Sequence, residues 1–166
     1  MYEDGTWKYR ESVTVIGKSD TAKAKLELVR GKAAVYYNSD KWKGLKETQP
    51  GRYELSHQSG EVNGLVIGER LQMTLEALRT VALNNGKEAA PDIKIVKEDR
   101  RIVNGKDILF MELEGTISGI PFSFLGYYYA GPAGTIQTLT FTGQNLLGEY
   151  REDMMEFLNG FTVIKE

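Results

Sequence analysis

The chain has 166 residues, of which 27% are charged and 41% hydrophobic, and a formal net charge of −2 at pH 7. That length suits one domain burying roughly 70% of its unfolded surface, and the small net charge excludes a general attraction to nucleic acid or anionic membranes. Cysteine is absent, which excludes disulfides, thiol catalysis and thiolate metal sites.

In chain order, Met1–Gly5 is acidic and polar and does not read as a signal peptide. We divide the chain into an N-terminal arm, residues 1–22, with Trp7 as its anchor, and a single domain, residues 23–166. Gly17-Lys18-Ser19-Asp20 lacks the leading glycine of a phosphate loop and reads as a turn. Ala24–Val29 alternates at period two and turns at Gly31 into Ala33–Tyr37, a first hairpin. Trp42 falls in a lysine-flanked loop, and Lys43–Gly51, with Gly44, Pro50 and Gly51, continues as loop. Arg52–His57 and Leu65–Ile67 are further strands. Leu71, Leu75, Leu78 and Ala82 share one stripe of a helix over about 71–85, which Asn84-Asn85-Gly86 closes.

Residues 92–143 organise the rest. Asn104-Gly105 is a type I′ hairpin signal, because both central residues of that turn need positive φ. Gly119 with Pro121, and then Gly131–Gly134, supply two more reversals, giving a four-stranded antiparallel meander. Alternation sets Leu109, Met111 and Leu113 against Phe110, Glu112 and Glu114, and Phe122 and Phe124 against Leu125, Tyr127 and Tyr129. Apolar residues on both sides predict a sheet covered on both faces. A second amphipathic helix over about 145–159 carries Leu147, Tyr150, Met154, Phe157 and Leu158 on its stripe. Gly160 ends it, and Phe161–Ile164 is an edge strand or docked tail.

Few residues carry chemistry. His57 is the only histidine and reads most simply as structural; with no cysteine beside it, a zinc site is not expected. No cofactor or metal is expected, and no segment reaches the roughly 18 apolar residues of a membrane span. Glu112 and Glu114 lie roughly 7 Å apart along one strand face, a spacing that admits paired-carboxylate hydrolysis with His57. Cross-strand pairing with Arg100 or a lysine is the simpler reading. Tyr127-Tyr128-Tyr129, running into Gly131-Pro132, is the most unusual local run. With Trp42 it marks the expected ligand or partner surface, since tyrosines are common where a core meets a binding face.

The order of parts resembles the PsbP-like superfamily, which includes the photosystem II accessory protein PsbP and DcrB-type bacterial exported proteins. The resemblance rests on Val35-Tyr36-Tyr37 followed by Asp40-Lys41-Trp42, the helix around Leu71–Leu83 and Arg101–Gly105. It continues through Gly126–Tyr129, Gln137–Thr142 and Phe157–Phe161. It implies an α+β fold, an α/β/α sandwich around a twisted, mainly antiparallel sheet. It also implies a non-enzymatic accessory or binding domain, acting on an unknown protein or small ligand. An exported protein follows from it, periplasmic or a lipoprotein, whose signal would precede Tyr2. A homodimer through an exposed edge strand is a further arrangement the pattern allows. The hydrolase using Glu112 or Glu114 with His57 stands as the alternative from another class.

Overall fold

The computed structural model describes residues 15–166; the first part of the expected arm, with Trp7, lies outside the described residues. From residue 15 the chain is already part of the body. β1 (Val15–Ile16) pairs parallel with β7 (Lys94–Val103), and Ala22 is buried.

The meander forms as its turns dictate. β7, β8 (Lys106–Ile117), β9 (Ile120–Gly131) and β10 (Gly134–Gly143) pair antiparallel in succession. Asn104 and Gly105 take φ of 48° and 81°, and Ser118 and Gly119 take 52° and 81°, the left-handed values that short hairpins of this hand require. β4 (Trp42–Gln49), β5 (Arg52–His57) and β6 (Asn63–Glu69) extend this sheet to eight strands in the order β1-β7-β8-β9-β10-β6-β5-β4. Thus 43–49 is strand, not the loop its glycine and charges suggested. As the edge it alternates nothing, because every residue from Lys43 to Gln49 is exposed. Its lysines and two register irregularities discourage pairing with another chain.

β2 (Ala24–Leu28), β3 (Ala33–Tyr37) and β11 (Phe161–Val163) make a separate three-stranded sheet with β3 in the middle. It packs with α2 (Leu147–Leu158) on one face of the large sheet, around Trp42, Phe110, Tyr127, Met154, Phe157 and Phe161. α1 (Leu75–Ala89) packs on the other face through Leu78 and Ala82, against Leu109, Met111, Leu113 and Tyr128. The result is the expected α+β sandwich, with a small sheet added to one layer.

α1 is displaced relative to its sequence pattern. Thr74 caps it, its hydroxyl accepting the Ala77 N–H at 3.1 Å. Leu71 therefore stands outside, 61% exposed. At the other end the helix runs through Asn84-Asn85-Gly86 to Ala89. Gly86 lies inside the helix and faces Ile93, whose Cδ1 lies 3.0 Å from where a Cβ would sit. It is a close-packing glycine and not a terminator.

Candidate functional site

Trp42, Tyr127, Tyr128 and Tyr129 are all buried, with exposures of 2%, 2%, 1% and 5%. They form no exposed surface and are not gathered together. β9 is central in the sheet and covered on both sides, so alternation sends its rings into two cores. Trp42 stacks beside Phe157 at 4.8 Å and meets His57 edge-on at 5.3 Å. Tyr127 donates to the Asn159 side chain and Tyr129 to Glu166 at 2.5 Å. Burial raises the Tyr127 pKa; burial, with the Glu166 carboxylate, pushes Tyr129 up to about 12.

His57 does not meet Glu112 or Glu114. Its Nε2 lies 2.9 Å from Asp153 Oδ2 on α2. Its Nδ1 accepts the Ser59 N–H at 3.1 Å and lies 2.8 Å from the Ser59 hydroxyl. With Nδ1 accepting a backbone N–H, the ring proton belongs on Nε2, donating to Asp153. Lys41 Nζ donates to the other Asp153 oxygen at 2.8 Å. Histidine, serine and aspartate thus clamp the β5–β6 turn to α2. Glu112 is held by Arg151 at 2.9 Å and Glu114 lies 3.8 Å from Lys94. The paired-carboxylate alternative has no support in this arrangement. Among the described residues no group of three His, Asp or Glu side chains is placed to hold a metal ion.

The clamp gives a pH expectation. Burial works to raise the Asp153 pKa, but hydrogen bonds from Lys41 and His57, with the Lys41 charge, outweigh it, leaving it below the ordinary 3.8. A carboxyl depressed in the folded state contributes stability that is full above its unfolded pKa and lost as pH falls through the folded one. Urea unfolding of Asp153→Asn and the parent should therefore differ most near pH 6–7 (about the neutral plateau). The gap should narrow below the ordinary carboxylate pKa; a gap independent of pH would contradict the clamp.

A concave feature with an apolar wall lies on the α1 face. Register there builds three rows across the strands. Arg52, Ile67, Gln137, Tyr128 and Leu109 are successive partners; so are Glu54, Leu65, Leu139, Gly126 and Met111; so are Ser56, Asn63, Phe141, Phe124 and Leu113. α1 covers the β8–β9 end of these rows. Beyond it Leu65, Ile67, Leu139, Phe141 and Phe124 are only half-buried. They wall a cavity of about 660 Å³ roofed by Ala82, Gly86 and Ala89 of α1. A second hollow of about 510 Å³ shares Arg52, Leu65 and Phe141 and continues it toward β4. Phe124 and Phe141 stack at 5.6 Å, and Phe122 flanks both. The size and the apolar lining with few polar groups suit a small-molecule site.

Of the expected site residues, Tyr128 alone lines this cavity. Sequence reasoning missed Gln137, Leu139 and Phe141, although the alternation in Gly134–Gly143 places these three on one side. A glutamine among apolar partners on that side was the available signal.

No family model matches the chain, and no curated protein matches it. Solved structures do. The chain is similar to cyanobacterial PsbP (CyanoP) from Synechocystis sp. PCC 6803, seen in solution. The TM-score is 0.64 at 11% identity, covering 87% of this chain and 94% of that one. It is also similar to a crystal structure from Bacteroides thetaiotaomicron VPI-5482, with a TM-score of 0.56 at 13% identity, covering 87% of this chain and 50% of that one. The fold is PsbP-like, as the order of parts implied. Among the described residues no helix is long and apolar enough to cross a membrane.

Proposed function

We propose that this chain is a non-enzymatic accessory or binding domain whose ligand site is the cavity between α1 and the large sheet. One observation carries the reading. The aromatic and aliphatic wall formed by Leu65, Leu139, Phe124 and Phe141 continues past the helix that covers its other half. Half-buried apolar surface gains free energy at about 25 cal/mol per Å² when a ligand removes it from water. An accessory role and export agree with the PsbP-like fold, and the absence of a paired-carboxylate arrangement around His57 favours binding over hydrolysis.

Ala89 is exposed, at the last turn of α1, and borders the cavity. Ala89→Trp should fill the mouth while leaving the core untouched. The neutral apolar dye Nile red is expected to bind the parent with a rise in fluorescence, and to bind the variant at least about tenfold more weakly. Circular dichroism should be unchanged. Equal dye binding by the variant would move the site elsewhere.

A further inference from the structure

The cavity wall holds two buried polar side chains, while Asn85 and Glu88 of α1 stand exposed at its rim. Gln137 and Tyr128 are direct partners across β10 and β9, 7% and 1% exposed, and both line the cavity. Among the described residues the structure records no hydrogen bond from either side chain. The other two tyrosines of the run each donate to a side chain. The position of the Tyr128 hydroxyl has a cause in the sequence. An added Cβ at Gly126 would fall 2.5 Å from that oxygen, so the ring lies back over the strand where Gly126 leaves room, along the row that Leu139 continues. Buried polar groups normally have partners, and these two side chains line the cavity.

We infer that Tyr128 and Gln137 together read the ligand, and that the cavity takes an uncharged, largely apolar molecule carrying one amide-like donor–acceptor edge. This rests on the proposed cavity site. The side-chain amide of Gln137 offers both donor and acceptor, and the phenol offers the same, so their complement is a group that also does both, such as a primary amide or lactam. A buried charge would need a charged partner. Of the charged residues lining the cavity, Glu88 is exposed to solvent on α1, and the Arg52 guanidinium belongs to a position two strands from Gln137, about 10 Å at the usual strand spacing. That guanidinium already has Glu54 within 3.6 Å. The apolar body of the ligand rests on Leu139, Phe124 and Phe141.

The test compares 2-naphthamide, 2-methylnaphthalene and 2-naphthoate, one ring system with three ends, binding to the parent and to a Tyr128→Phe, Gln137→Met double variant. Both substitutions keep side-chain bulk, and unchanged thermal unfolding confirms that the variant is folded. The parent should bind the amide about tenfold tighter than the methyl compound. In the double variant that preference should fall to within about twofold while the methyl compound binds as before. Equal binding of amide and methyl compound by the parent, or a preference that survives the double variant, would overturn the assignment of Tyr128 and Gln137 and leave the cavity reading intact. Tighter binding of the naphthoate would overturn the uncharged class. Failure of all three probes to bind the parent would remove the cavity site and this inference with it.

Discussion

Trp42→Ala should cost about 3–5 kcal/mol of folding stability, a large part of the 5–15 kcal/mol typical of a domain. The ring is 2% exposed and wedged between Phe157 of α2 and His57 of β5. Its loss opens a void where α2, the small sheet and the large sheet meet. Trp42→Phe should cost less than about 2 kcal/mol, because the indole N–H has no hydrogen-bond partner in its buried position and its removal forfeits none. Urea denaturation of the two variants distinguishes this from a role at the surface. A surface tryptophan would give nearly parental midpoints for both.

Gly160→Ala should be at least as damaging, about 4 kcal/mol or more. A Cβ there would sit 1.8 Å from the Tyr36 carbonyl oxygen and 2.8 Å from its carbon. The backbone N–H of Tyr36 also donates to the Gly160 carbonyl at 2.9 Å. The clash is with backbone, which cannot rotate away, so β11 must part from β3 and Phe161 must leave the core. Gly105→Ala is the contrasting variant. That glycine takes φ of 81° with nothing within 4 Å of an added Cβ, so only the left-handed conformation is penalised, at about 1 kcal/mol. Similar midpoints for the two variants would refute the steric account of Gly160.

These two positions show what was legible in the sequence. The meander was, because Asn104-Gly105 and Gly119 encode their turns locally and the alternation of Leu109, Met111 and Leu113 encodes a face. The stripe of α2 was legible for the same reason. Gly160 was recognised as the end of a helix, but the close approach of Tyr36 that requires a glycine there comes from a strand far away in sequence. β4 was missed because an edge strand exposed along Lys43–Gln49 has no buried side to make it alternate. Gly86 reads as a helix stop in the sequence because Ile93, the side chain that packs on it, arrives only after the chain has turned.

The candidate site was the least legible part. Three consecutive tyrosines look like a surface when strand position is unknown. Placed on a central strand, Tyr127 and Tyr129 enter the α2 core while Tyr128 enters the α1 side. Its neighbours Gln137 and Leu139 are brought there by the register of the β9–β10 hairpin. Composition carries no trace of that pairing. It emerges only when alternation in both strands is combined with the turn at Pro132-Ala133.

The most direct test of the account is a set of intermolecular nuclear Overhauser effects between the isotope-labelled protein and a bound apolar probe, Nile red. Contacts should run from the methyl groups of Leu65, Ile67 and Leu139 to the rings of Phe124 and Phe141, with Ala89 at the rim. Contacts instead to residues of the α2 face or the β4 edge, with none beneath α1, would contradict it.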